Sequence, residues 1–459
     1  MEKPREIAVR VLRRLHASET DRLEAVLEQE LSRISLPAND RALLRELVFG
    51  VVRWQLAIDW VIARKTQGRQ QKPLLQILLR LGIYQAFWLD RIPDHAIVNE
   101  SVQLARELGC GPQSGFINAL LRGCLRERLE IRAQLDALKS REPHLGYSHP
   151  LWLWTRWEKR WPQEQLRRLL EWNNTPAPIY ARVNTLKVTP DQLAARFATE
   201  GVQSIPRNFA WTPPGLLFLL QHPPPLRSLP SFQEGLFYIQ DPSTLLAVRE
   251  LNPQPGDRIL DLCAAPGGKA TFIAQLLQNQ TAIDAEDSDS QRLTRLRQNC
   301  ERLGVTCIRI GGTDGQAVGA QAGADLPSSS PAGKPTSCGP DPTRTAGATK
   351  TLYDRILVDA PCSNTGVMRR RVELRWRVQP AEIERLQAVQ LRLLQRAASR
   401  LQPKGTLVYS TCSLEPEENE VVVRQFLEHC PGFRLEQEHA VTPFAEGVDG
   451  VYVARLAPA

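Results

Sequence analysis

From about residue 232 to the end of the chain, short apolar runs alternate with amphipathic stretches, and that alternation constrains the fold more than any other feature. The runs fall at 258–262, 281–285, 307–310, 355–359 and 405–410. Helical periodicity occupies roughly 269–278, 290–303 and 380–401. Strands that follow one another through helices pair in parallel, because a parallel neighbour needs a crossover long enough to hold a helix. The segment 232–459 therefore reads as a Rossmann-like α/β domain, a mostly parallel sheet with helices on both faces. Its ligand crevice should lie at the carboxyl ends of the strands. Residues 316–350 interrupt the alternation with Gly, Ala, Pro, Ser and Thr; they can bury little apolar area and are expected to form a disordered insertion.

A chain of 459 residues is too long for one core, and about three domains are expected. Residues 1–135 read as all helix. Ile7, Ala8, Val11, Leu12 and Leu15 keep helical spacing, as do Leu44, Leu47, Val48 and Val51, with Asn39 or Asp40 as the expected cap of the latter helix. Residues 140–231 read as a small α+β connector, with Trp152, Trp154, Trp157, Trp161 and Trp172 as packing residues and Ile179–Val183 as a strand. The net charge of +8 favours a polyanionic partner. Arg5, Arg10, Arg13 and Arg14 form one basic group, and Arg122, Arg126, Arg128 and Arg132 another. No apolar run approaches the length of a membrane span, so no membrane association is expected. The N-terminus mixes Glu2 and Glu6 among its arginines without the apolar run of a signal peptide, so a cytoplasmic protein is expected; a monomer is expected on no feature of the sequence. Nine cysteines show no zinc-ligand spacing; they should be reduced thiols, and no metal is expected.

The run Asp261, Leu262, Cys263, Ala264, Ala265, Pro266, Gly267, Gly268, Lys269 follows the first strand of the α/β domain and leads into a helix. Small residues at this turn let the backbone approach a ligand. The spacing matches neither a phosphate P-loop nor a dinucleotide turn. A nucleoside cofactor without phosphates fits better, and S-adenosylmethionine is one. Such a site needs a carboxylate at the second strand end for the ribose hydroxyls, and Asp284 and Asp287 both qualify. Asp314 ends the third strand, where the adenine would lie.

Cys362 ends the fourth strand in a Pro-Cys pair and Cys412 the fifth in a Thr-Cys pair, on the same rim as the cofactor loop. Pro416, Glu417 and Glu418 read as the first turn of the next helix, whose positive end would favour a nearby thiolate. Two thiols beside a methyl donor suit one reaction well. Carbon 5 of cytosine is a poor nucleophile until a thiolate adds at carbon 6, and a second group must then help release the product. Asp359 is a candidate to bond the ring nitrogen N3.

The strings DLCAAPGGK, DAPCSNTG and YSTCSLEPEENE resemble motifs I, IV and VI of the RNA 5-methylcytosine methyltransferases of the NOL1/NOP2/Sun family. LRELVFG, HAIVNESVQLAR and FINALLRGCLRE resemble the NusB-like RNA-binding domain that bacterial members carry, FYIQDPSTLLAV precedes the catalytic domain and DGVYVARL closes it. The resemblance implies a NusB-like domain over 1–135, a connector over 140–231 and a class I methyltransferase domain over 232–459. It implies methylation of carbon 5 of a cytosine in small-subunit (16S) ribosomal RNA, through a covalent adduct. Cys412 becomes the nucleophile and Cys362 the residue of product release, possible base included. Cys263, Ala264, Ala265, Pro266, Gly267, Gly268, Lys269, Asp287, Asp314 and Asp359 become the S-adenosylmethionine site, with Asp287 favoured over Asp284. A DNA cytosine methyltransferase is the weaker alternative, since those enzymes attack with the Pro-Cys thiol and lack a Thr-Cys partner. A non-enzymatic RNA-binding assembly factor is the other; such a chain is expected to have lost a cysteine or the glycines.

Overall fold

The computed structural model describes residues 3–18, 20–311 and 351–459. Asp314 and the 316–350 insertion lie outside the described residues. The chain forms two compact units, one from 1–176 with 368–378, the other from 177–367 with 379–459.

The first unit is helical. Its centre is the helix Pro73–Trp88, whose run of leucines and isoleucines leaves almost no polar face and buries Leu75, Leu78, Leu79, Ile83 and Phe87. Helices Pro4–Ala17, Ala38–Arg53, Asp94–Glu107 and Ser114–Arg126 pack around it. Two glycines permit the close crossings: a Cβ on Gly50 would fall 1.9 Å from the Tyr84 ring, and one on Gly82 would fall 2.8 Å from Leu121. The helix expected to start at Asn39 or Asp40 instead starts at Ala38 behind Pro37. That shift places Asp40 in the first turn, where the helix dipole favours an acid.

Residues 368–378 come late in the sequence yet complete this helical unit. Arg375 is fully buried and donates to the carbonyls of Arg53 (3.0 Å), Ser148 (3.2 Å) and Asn173 (2.9 Å) and to Asn174 Oδ1 (2.8 Å). All four acceptors are neutral, and burial pulls the guanidinium down to about 9. Trp376 Nε1 donates to the Val52 carbonyl at 2.7 Å, and Arg369 lies over the Trp172 ring. Of the segment read as a connector, helices Leu151–Glu158 and Gln163–Asn173 belong to this unit.

The connector's strands belong to the second unit. β1 (Ile179–Val183), β2 (Gln203–Arg207), β3 (Leu217–Gln221) and β4 (Phe237–Ile239) form an antiparallel sheet in the order β2-β3-β1-β4. The larger sheet contains β5 (Ile259–Leu262), β6 (Ile283–Glu286), β7 (Ile308–Ile310), β8 (Tyr353–Asp359), β9 (Leu401–Thr411), β10 (Phe433–Val441) and β11 (Val451–Pro458), in the order β10-β11-β9-β8-β5-β6-β7. The five strands from β7 to β9 are parallel, as the alternation requires; β10 and β11 add an antiparallel edge. Both sheets share one core, in which Val183, Phe197 and Phe237 meet Leu246, Ile273 and Leu296. Asn184 Nδ2 also donates to the carbonyls of Gly235 and Leu303, both at 2.8 Å, which fastens the small sheet to the helix Ser290–Leu303.

Arg375→Met keeps the volume but strips four buried acceptors of their donor. It is expected to cost on the order of 3 kcal/mol, seen as an earlier urea unfolding transition by circular dichroism.

Candidate functional site

The cofactor loop turns out of β5 in a backbone that small residues make possible. Cys263 takes a left-handed conformation (φ 62°) and Gly267 a φ of 105°, where a Cβ would meet Leu296 at 2.4 Å. Side chains hold the loop from outside. Asp287 Oδ2 accepts from the Ala265 amide at 3.1 Å, Asn299 Nδ2 donates to the Pro266 carbonyl at 2.9 Å, and Arg292 donates to the Ala265 carbonyl. Asp284 and Asp287 are thereby separated. Asp284 lies within β6 and accepts from the Tyr353 hydroxyl at 2.8 Å, whereas Asp287 stands beyond the strand end against the loop. Behind the loop, Arg182 of β1 is fully buried and donates to the Gly268 carbonyl (2.8 Å), Thr271 Oγ1 (3.1 Å) and Gln240 Oε1. Burial lowers its guanidinium to about 9.

Asp261 is the most informative polar group here. It is fully buried and neither carboxylate oxygen has a hydrogen-bond donor. Burial first, and the negative charge of Asp359 second, push its carboxyl well above the usual range. An orphaned buried carboxylate needs a positively charged or donating partner. The ammonium group of an amino-acid cofactor such as S-adenosylmethionine meets that need, so the donor set fits.

At the ends of β8 and β9 the two cysteines meet, with Sγ atoms 3.3 Å apart. Cys362 is buried and Cys412 partly exposed. The Cys362 thiol is pushed well up, by its hydrogen bond to Cys412 first and by burial second. Beside them Lys269 Nζ pairs with Asp359 Oδ2 at 2.6 Å, and Ser410 Oγ donates to Asp359 Oδ1 at 2.9 Å. Burial disfavours the Lys269 charge, but Asp359, helped by Cys412 and Asp261, offsets this and the ammonium is raised overall. Asp359 is thus tied to the cofactor loop on one oxygen and to β9 on the other. Cys263, Lys269, Asp287, Asp359, Cys362 and Cys412 all stand on one rim of the sheet. Seven cysteines among the described residues are free thiols, whereas Cys430 is disulfide-bonded, unlike the reduced state expected for it.

Glu418, read from sequence as a first-turn residue, has a different task. Its buried carboxylate accepts from the Ser363 amide (2.8 Å), the hydroxyls of Ser363 and Ser413, and Gln390 Nε2 (3.2 Å). It therefore clasps the loop after Cys362 to the loop after Cys412. Gly366 allows the same closeness, since a Cβ there would lie 2.8 Å from the Cys412 carbonyl. Asp261, Asn364 and Glu418 lie inside the motif strings but their tasks escape a reading by motif, and Arg182 lies outside every motif. Arg182 alone leaves a trace, as a cation inside an otherwise apolar strand. The basic groups of the helical unit are largely occupied: Arg10 pairs with Glu30, Arg14 with Asp21, Arg128 with Asp94 and Arg132 with Asp90.

The family model described as 16S rRNA methyltransferase RsmB/F matches residues 248–458, the NusB family 2–126, and an RsmF/B-like ferredoxin-like domain 149–218. The ribosomal RNA small subunit methyltransferase B of Escherichia coli O1:K1 / APEC is 35% identical, over 97% of this chain and 98% of its own. That of Erwinia tasmaniensis is 34% identical, over 95% and 96%. Among solved structures, PH0851 matches with a TM-score of 0.75 at 23% identity over 100% of this chain and 99% of its own, a likeness of fold. A methyltransferase homolog protein from Pyrococcus horikoshii matches with a TM-score of 0.50 at 29% identity, over 64% of this chain and 91% of that one.

Glu418→Gln tests the clasp. Burial raises the Glu418 carboxyl in spite of the Ser363 and Ser413 bonds. The folded state therefore holds the proton more firmly than the unfolded state. Wild-type stability contributed by this group is full below the ordinary glutamate range and falls as pH rises through the raised folded value. Melting temperatures measured from about pH 4 to 7 are expected to show the wild type losing its margin over Glu418→Gln as pH rises.

Proposed function

This chain belongs to the RsmB/F family of 16S rRNA methyltransferases, and we propose that it methylates carbon 5 of a cytosine in small-subunit ribosomal RNA with S-adenosylmethionine as donor. The observation that carries the reading is the thiol pair on the rim beside the Lys269–Asp359 ion pair and the cofactor loop. A methyltransferase acting on a base nitrogen or a ribose hydroxyl needs no thiol at all; carbon 5 of a pyrimidine does.

When bound, the cofactor supplies an electrophilic methyl group. Asp261 and the loop Cys263–Lys269 would hold it, with Asp287 and, by family resemblance, Asp314 completing the nucleoside end. Cys412, the more exposed thiol, attacks carbon 6 as its thiolate, forming the S–C6 bond and moving the ring's π electrons to carbon 5. Carbon 5 would then take the methyl group as its bond to the sulfonium sulfur breaks, the demethylated thioether S-adenosylhomocysteine being the leaving group. Asp359, which pairs with Lys269 and accepts from Ser410, would bond ring N3 once that nitrogen carries a proton. Removal of the carbon 5 proton restores the double bond and expels the Cys412 thiolate. The carbon 5 proton passes to a base, for which solvent water suffices, and Cys362, still carrying its own proton, would support release by hydrogen bonding to the departing Cys412 sulfur 3.3 Å away. The NusB-family segment would bring the RNA, a polyanion suited to a chain of net charge +8.

Wild type, Cys412→Ala and Cys362→Ala are to be incubated with S-adenosylmethionine and small-subunit RNA. Cys412→Ala is expected to lose methyl transfer by more than about a thousandfold and to form no adduct. Cys362→Ala is expected to accumulate a protein–RNA adduct that survives denaturation. Adduct that persists without Cys412 and disappears without Cys362 would reverse the roles.

A further inference from the structure

Between the two cysteines stands a residue to which the reaction above gives no part. Asn364 lies two residues after Cys362, in a left-handed conformation (φ 60°) that turns its side chain back on the loop. Its Nδ2 donates to the Cys362 carbonyl, and its Oδ1 lies 3.0 Å from Cys412 Sγ.

The two ends of this carboxamide are not interchangeable. The Cys362 carbonyl can only accept, so the amide nitrogen must face it. The amide oxygen then faces Cys412, and an oxygen can only accept. A thiolate at that distance would be repelled, whereas a thiol is bonded. Cys362 closes the circuit, its own S–H donating to Cys412 Sγ at 3.3 Å.

We propose that Asn364 is a positioning residue that accepts the Cys412 S–H and fixes its aim in the free enzyme, so that the nucleophile is released only when substrate displaces this bond. The proposal rests on Cys412 being the nucleophile. The charged and titratable groups around Cys412 work in opposite directions. Lys269, on the helix Gly268–Leu276, favours the thiolate, while Asp359 at the end of β8 and Glu418 behind the serine clasp oppose it. Cys362 stays protonated and donates. Asn364 adds to the neutral side without carrying charge.

The test is the rate at which iodoacetamide alkylates Cys412 in the full-length protein, read by mass spectrometry of the Cys412 peptide across pH. Asn364→Gly suits the positive φ and removes the acceptor from Cys412 together with the donor to the Cys362 carbonyl. It is expected to shift the alkylation profile downward in pH and to raise the rate near neutrality by about tenfold. Asn364→Asp places a carboxylate at the same point and is expected to shift the profile upward by about one unit. A role in loop shape alone would not move the two variants in opposite directions. Profiles that coincide with wild type, or that move together, overturn the proposal. Methyl transfer by Cys412→Ala is measured alongside: retained activity there would sink the nucleophile assignment, whatever the Asn364 variants do to the thiol.

Discussion

Two loops that leave different strands of a sheet have no inherent reason to hold their tips together. In this protein they are joined below the thiols by a carboxylate. Glu418 receives the amide and hydroxyl of Ser363, the hydroxyl of Ser413 and the amide of Gln390. A buried carboxylate is costly unless its lone pairs are taken up, and here four donors take them. The cost of burying the charge is met by the fixed spacing of Cys362 and Cys412. The pairing of the sulfurs, the turn of Asn364 and the approach of Asp359 all depend on that spacing.

The cofactor side follows a similar rule with opposite charge. Arg182 reaches from the small sheet into the first turn of the helix after the cofactor loop, where only neutral oxygens receive it. Its ring neighbours Tyr238 and Phe272 cover the rest of the guanidinium. The small sheet is thus part of the cofactor site's foundation. Its shared core with the larger sheet makes the same point through apolar contact.

Much of this architecture is written in local patterns. β5, β6 and β8 are short apolar runs closed by polar turns, and their parallel order follows from the helices between them. β10 carries no such signal: Phe433–Val441 is mostly exposed and reads Phe-Arg-Leu-Glu-Gln-Glu-His-Ala-Val, so nothing but its pairing with β11 marks it as a strand. The motif cysteines and glycines are legible because their chemistry needs those residue types at strand ends. Glu418 is visible as an acid near a helix start, but its partner Ser363 is 55 residues away and no spacing rule connects them. Asp261 is legible as a motif letter, while its lack of a donor is a fact of three dimensions alone.

The helical unit owes its last element to residues 368–378, which the chain supplies only after it has built most of the other unit. A fragment ending at residue 176 would contain the sockets formed by Arg53, Ser148 and Asn173 but not the Arg375 that fills them. Exchange of this unit between relatives by recombination at a single junction would part the two pieces of one core. A junction that carried Arg375 with its sockets would also have to reckon with the cysteine loop, which lies only a few residues upstream.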